Sequence, residues 1–189
     1  MILIVCAFLA VLTVPLSGTS LRGMGSLPIH HTPLAWVAIG LQTLLVSSPW
    51  HPGPTVAHGV HLASYAVAGS FAFVNRRTPG VLLIAFGGAL NLIAIAANDG
   101  VMPASASALR RAGIGEATEF SNSTFVSDAK FQWLGDVFAV PAHWPLSNVF
   151  SVGDIIVVIG IGYLAHRQCR TSMPPRHSTT SDSAGALVP

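Results

Sequence analysis

The sequence predicts an all-α, polytopic membrane protein of about five transmembrane helices, N-terminus outside and C-terminus inside, with a long extracytoplasmic loop between helices 4 and 5. Three observations carry that expectation. Hydrophobic residues make up 51% of the 189-residue chain and charged residues only 8%. Mean hydropathy is +0.63. The apolar residues also fall in long runs rather than in alternation, and a run that satisfies its own backbone hydrogen bonds in lipid is a helix. The partner this composition implies is membrane lipid. The net charge of +2 is small, and basic and aromatic residues are not interleaved in the way that would suggest a nucleic-acid partner.

The first apolar segment, 2–16 (ILIVCAFLAVLTVPL), is short and carries Pro15 near its end. It lacks a basic leader and a small-residue cleavage site, so it reads as a retained helix rather than a removed signal. The second segment is 33–48, the third 56–74, the fourth 79–97 (PGVLLIAFGGALNLIAIAA) and the fifth 149–165. A bilayer core takes roughly 20 helical residues, with roughly 17 tolerated, which makes the first two marginal and the last three sufficient. Arg22, Arg76, Arg77, Arg167, Arg170 and Arg176 then share the inner side, leaving Arg110, Arg111 and Lys130 in the outer loop 98–148. Asp99, Glu116, Glu119, Asp128 and Asp136 also fall in that loop. Residues 1–170 form the integral membrane domain, and 171–189, rich in Ser, Thr, Pro and His, a disordered cytoplasmic tail. Cys6 and Cys169 lie too far apart in sequence and context to suggest a disulfide framework or a metal motif.

A connection of about fifty residues is too long to be idle, so the loop is expected to be partly folded and functional. Ser107 to Glu119 suits a short surface helix, and VPAHWP (140–145) a proline-bounded turn. Trp50, Trp133 and Trp144 suit an interfacial aromatic belt. Asn98 and Gly100 can end the fourth helix in a left-handed cap, with Pro103 stopping its continuation; Asp99 and Met102 complete the same motif, NDGVMPAS.

Asp154 has two readings. Ser151 can cap the last helix, which puts Asp154 at the third helical position, where a carboxylate returns a hydrogen bond and meets the positive end of the helix dipole. Alternatively, Asp136 lies eighteen residues earlier, and the turn between them can bring the two carboxylates together. Such a pair shares a proton, because two like charges ionise together only at high cost, and it can activate water against an amide. His58 and His61, spaced i and i+3, offer a rival metal reading with His51 and His143, but interfacial histidines read first as polar anchors, and neither metal nor cofactor is expected. Asn122 opens an NST sequence that reads as ordinary polar loop. Within the helices Gln42, Ser64, Tyr65 and Asn91 are the polar groups, read as links to neighbouring helices, and Gly87 and Gly88 suit close packing.

Two resemblances follow from these motifs. GDVF (135–138) with Asp136 and Phe138, then FSVGDIIVVIG (150–160), resemble the final motifs of lipoprotein signal peptidase, the signal peptidase II family of membrane aspartyl proteases; GGALNLI (87–93) is similar to that family's preceding helix. The resemblance implies that Asp136 and Asp154 are a catalytic pair and that the substrate is a membrane protein or lipoprotein. Ser151 stands where that family's motif has Asn, and residues 98–135 lie between the helix and the first aspartate. Over nearly the whole chain, NRRTPG (75–80), NDGVMPAS (98–105), ALRRAG (108–113), WLGDVF (133–138) and FSVGDIIVVIGI (150–161) resemble the bacterial membrane family of unknown function DUF5317. That likeness implies a multi-pass protein of the bacterial inner (plasma) membrane, with NDGVMPAS and both aspartate motifs in one module. Two functions are therefore expected: an aspartate-pair protease or hydrolase, or a noncatalytic scaffold or assembly factor that binds a partner through the 98–148 loop.

Overall fold

The computed structural model describes residues 2–47, 53–114, 123–126 and 128–171. The expected tail beyond Thr171, together with Trp50, His51, Glu116, Glu119 and Asn122, lies outside the described residues. In chain order the helices are α1 (Ile2–Leu16), α2 (Thr32–Ser47), α3 (Pro54–Val74), α4 (Val81–Ala97), the short α5 (Ala106–Ala112) and α6 (Val152–Thr171).

The polytopic membrane fold is overturned, because no helix among the described residues is long and apolar enough to cross a membrane. Helices α1, α2 and α4 have 15, 16 and 17 residues, against the roughly 20 that a bilayer core takes. Helices α3 and α6 have 21 and 20 residues, but α3 dilutes its apolar content with His58, His61, Ser64, Tyr65 and Ser70, and α6 with Asp154, His166, Arg167, Gln168 and Arg170. The assignment of the N-terminus and the 98–148 loop to the outside and of the C-terminus to the inside rested on five crossings, and falls with them.

The all-α expectation is corrected as well. Between α4 and α6 the chain forms a four-stranded sheet of β1 (Met102–Ala104), β2 (Ser123–Phe125), β3 (Asp136–Val140) and β4 (Asn148–Ser151). Its order is β2-β1-β3-β4, with β1 parallel to both neighbours and β3 antiparallel to β4. Strands of three to five residues are too short to impose an alternating pattern on the sequence. Helix α5 packs on this sheet through Ala104, Ala108, Leu109, Ala112 and Val149. Its ends follow from capping chemistry: the Ser105 hydroxyl accepts from the Ala108 amide at 3.1 Å. Gly113, in the left-handed region at φ 67°, closes the helix six residues short of the expected Glu119.

Helices α4 and α6 cross with their backbones in contact. Gly80 and Gly87 on one side, and Gly153 and Gly160 on the other, are each seven residues apart, so each pair shares a helix face. A Cβ at Gly87 would lie 2.5 Å from the Gly153 carbonyl oxygen, and one at Gly160 would lie 2.8 Å from Ile84. Gly88, expected to share this packing, has open space around it. On its other flank α6 packs against α1 through Val14, Ala165 and Cys169. Asn75 ties the α3–α4 turn to the segment before α2, accepting from the His30 amide at 2.7 Å and donating to the His30 carbonyl at 2.9 Å.

The sheet module is fastened to the helices by an apolar cluster and one amide. Ala94, Ile95, Met102 and Leu134 pack together, with Tyr65 and Leu90 against them. Asn98 donates to the carbonyls of Ala94 at 2.7 Å and Lys130 at 2.8 Å, and accepts from the Lys130 amide at 2.9 Å. Asp99 and Gly100 then take φ of 54° and 87°, and the Gly100 amide returns to Ile95 O at 2.9 Å. Asn98→Ala is expected to cost about 2–3 kcal/mol, since it leaves a buried carbonyl and a loop amide without their partner. Asn98→Asp should cost at least as much, because its second oxygen would face two carbonyl oxygens. Urea unfolding, with limited proteolysis of the 123–135 region, measures both.

Candidate functional site

The strand register sets Asp136 beside Ser151, three residues before Asp154. Asp136 opens β3 and pairs with Ser151 of β4, which sets their Cα atoms about 4.5–5.5 Å apart. Ser151 in turn caps α6: its hydroxyl accepts from the Asp154 amide at 3.0 Å, while its own amide donates to Asp154 Oδ2 at 3.0 Å. This reciprocal pair is a capping box with Asp in the usual Glu position. Asn91, on α4, completes the arrangement. Its Nδ2 donates to Asp154 Oδ1 at 2.9 Å, and its Oδ1 accepts from the Ser151 hydroxyl at 2.8 Å. Four hydrogen bonds thus join Asp154, Ser151 and Asn91, two of them to the carboxylate, and tie the start of α6 to the middle of α4. Asp136 is 4% exposed and Asp154 half-buried.

Both charges reach Tyr65. Its phenol is pushed up to about 12, first by burial, then by Asp154 and then by Asp136. The one phenol on α3 thus feels the charge of both aspartates. At neutral pH the phenol is a hydrogen-bond donor. The chain has two tyrosines, so in a Tyr163→Phe variant the phenolate absorbance should rise at about pH 12 rather than at the ordinary 10. The linkage has a definite sign: the folded value is raised, so the stability tied to the neutral phenol is complete below pH 10 and lost as pH climbs through about 12.

His61 and His58 join this region. His61, buried, stacks on Tyr65 with centroids 5.5 Å apart and planes at 18°. Its pKa lies below 6.5, lowered first by burial and then by His58, against a hydrogen bond with the Gly100 backbone that raises it. The stability it contributes is therefore present above pH 6.5 and lost as pH falls through its folded value. His58 packs against the Gly100 turn, where an added Cβ would lie 3.0 Å from its Cγ. Among the described residues no three His, Cys, Asp or Glu side chains gather as metal ligands.

Asp154 also borders an apolar pocket of about 230 Å³ between α1, the β3–β4 hairpin and α6, whose walls include Ile2, Cys6, Phe150, Ile155 and Ile159. The Phe150 ring is stacked on Phe138 at 5.4 Å. The remaining motif residues serve the frame. Asn98 is the clip described above, Asp99 is an exposed turn residue, Met102 is core, and Pro103 lies in β1 with its carbonyl so close to Gly135 that a Cβ there would overlap it. Sequence reasoning treated Tyr65 and Asn91 only as interhelical links and did not place α1 beside the aspartates. Asn91 lies inside GGALNLI, and that motif was the available signal.

Comparison with known proteins bears on the whole arrangement. Residues 26–165 match the profile of a family described as "Family of unknown function (DUF5317)". This range contains Tyr65, Asn91, Asp136, Ser151 and Asp154 and leaves α1 outside. An uncharacterized protein of Thermotoga maritima is 33% identical over 101 residues, covering 52% of this chain and 57% of that protein. The match thus spans a little over half of the relative's length. No solved structure matches.

Proposed function

The chain belongs to the family of unknown function DUF5317, and on that premise we propose that Asp136 and Asp154 are the working pair of a hydrolase that cleaves an amide in an apolar polypeptide segment presented from membrane lipid. The observation that supports this reading is the position of Asp154: a carboxylate fixed by two N–H donors in the first turn of α6, three residues after Ser151, the strand partner of Asp136. Asp154, complemented as a carboxylate by those donors, takes a proton from the attacking water. Asp136, buried at the start of β3, gives a proton to the departing amine as the C–N bond breaks. Lipid as the source of substrate is supported by the large apolar side chains that the helices turn outward, among them Phe8, Leu16, Trp36, Phe73 and Phe86. The protein is accordingly assigned to the bacterial cell membrane as a lipid-associated enzyme.

The test uses purified protein in phosphatidylethanolamine–phosphatidylglycerol vesicles with a library of apolar-segment peptides. Cleavage that disappears in Asp136→Asn supports the reading, and a wild-type protein that cleaves no member of the library overturns it. A second reading rests on a different observation. Phe131, Trp133 and Trp144 are exposed on the sheet module, a surface that suits a noncatalytic scaffold binding a partner there. Under that reading Trp133→Ala with Trp144→Ala abolishes partner capture, and the aspartate variants leave it unchanged.

A further inference from the structure

Away from the aspartates, the opposite end of the helices gathers charge of one sign. The start of α4 lies against the second half of α6, since a Cβ at Gly80 would lie 2.6 Å from the Gly160 carbonyl oxygen and 2.7 Å from Leu164 Cβ. A short 3₁₀ helix (Leu21–Ser26) joins the same end, where Gln168 Nε2 donates to Ser26 O at 3.1 Å. Thr78, in the α3–α4 turn, donates to Pro28 O at 3.4 Å. These contacts bring Arg22, Arg76, Arg77, Arg167 and Arg170 to one rim, all of them exposed. The aspartates among the described residues, Asp99, Asp128, Asp136 and Asp154, lie in or beside the sheet module instead. Thirteen residues of α6 separate Asp154 from Arg167, about 20 Å, twice the ~10 Å screening length in roughly 0.1 M salt. The rim is therefore a positive surface that these carboxylates do not offset.

A collar of apolar side chains adjoins it. Leu16, Trp36, Phe73 and Leu82, each within two turns of a helix end at the rim, are between 61% and 85% exposed. The Arg76 guanidinium stands 4.3 Å over the Phe73 ring, a cation and an aromatic face side by side at the boundary. Arginine meets phosphate through paired N–H donors, and an apolar surface edged with basic residues suits the headgroup–acyl boundary of a leaflet. Nucleic acid would match the rim and leave the collar in water.

We propose that this rim docks on the phosphates of an anionic lipid leaflet while the collar beside it dips into the headgroup–acyl boundary, an attachment that needs no helix to cross. It rests on the lipid-associated reading above and does not depend on cleavage. In the test the full chain is exchanged from detergent onto phosphatidylcholine vesicles with and without phosphatidylglycerol, and binding is read by flotation. Each arginine near an anionic surface is worth about fivefold in partitioning. Phosphatidylglycerol is therefore expected to raise binding roughly a hundredfold or more at low salt, and high salt to remove the gain. Arg22→Gln with Arg77→Gln should cut the gain about twentyfold. Arg110→Gln with Arg111→Gln, which removes the same charge from α5 on the sheet module, should leave it unchanged. Arg76 stays in place because its Nη1 donates to Phe73 O at 2.8 Å, and circular dichroism verifies that both double variants fold.

An equal loss in the two double variants overturns the proposal, since net charge alone would then be read. So does a gain that inorganic phosphate removes at constant ionic strength, which reassigns the rim to a free phosphate. Displacement of the vesicles by a duplex oligonucleotide overturns it in favour of nucleic acid. The two readings fail separately. Equal binding to both kinds of vesicle removes the rim assignment and leaves lipid association, whereas no binding to either removes lipid association and the rim with it.

Discussion

Gly153→Ala is expected to destabilise the protein by about 3 kcal/mol or more. The new Cβ would overlap Asn91 Oδ1 and lie 2.6 Å from the Gly87 carbonyl oxygen. Neither obstacle is the loose end of a flexible chain. Moving Asn91 breaks its bonds to Ser151 and Asp154, leaving polar groups buried and unpaired. Separating α4 from α6 opens the Gly80–Gly160 contact two turns away, where a Cβ at Gly80 would lie 2.6 Å from the Gly160 carbonyl. Overpacking alone costs about 1–3 kcal/mol, and each orphaned buried group a similar amount. The internal control is Gly88→Ala, a residue in the same helix with open space around it, which should gain up to about 1 kcal/mol from helix propensity. Urea unfolding of the two variants should move the midpoint in opposite directions. Equal shifts would mean that α4 and α6 do not touch at Gly153.

Asp154→Asn and Asp154→Ala should separate capping from chemistry. In Asp154→Asn the hydrogen-bond ring can be rebuilt. The introduced carbonyl oxygen accepts from the Ser151 amide, the introduced NH₂ donates to Asn91 Oδ1 once the Asn91 amide turns over, and the freed Asn91 NH₂ donates to the Ser151 hydroxyl, whose own hydrogen gives up Asn91 as its acceptor. What is lost is a negative charge at a helix N-terminus, about 0.3–1 kcal/mol. On the proposed hydrolase reading the general base is lost as well, and hydrolysis should fall by about 10²–10⁴-fold. Asp154→Ala orphans two donors, the Ser151 amide and Asn91 Nδ2, and should cost about 2–4 kcal/mol. A purely structural Asp154 predicts the reverse pattern: Asp154→Asn close to wild type in every activity, Asp154→Ala defective only through instability.

The legible parts of this protein are those in which chemistry acts locally along the chain. Among the described residues the five long helices form on apolar runs. Ser151 and Asp154, three residues apart, meet in a capping box because one helical turn brings them together. The α4 stop at Asn98-Asp99-Gly100 follows from two left-handed residues, one of them glycine. Illegible parts depend on contacts between segments. The pairing of Asp136 with Ser151 arises in a β3–β4 hairpin of short strands, and short strands leave no periodic trace. The membrane-crossing expectation failed through end effects. The segments are apolar taken whole, while the helices that form among the described residues are either too short or carry His, Asp and Arg within their length. Tyr65 joined the site only because α3 packs against the cluster under Leu134, two residues before Asp136.

The aspartate pair is the central claim, and it is tested most directly by mapping the N-termini of membrane proteins and lipoproteins in cells that carry wild-type protein, Asp136→Asn or Asp154→Asn, with the abundance of this chain measured in the same samples. The account predicts that both variants accumulate at wild-type level and that the same set of uncleaved proteins builds up in each. Unchanged N-termini in both variants at full abundance would contradict it.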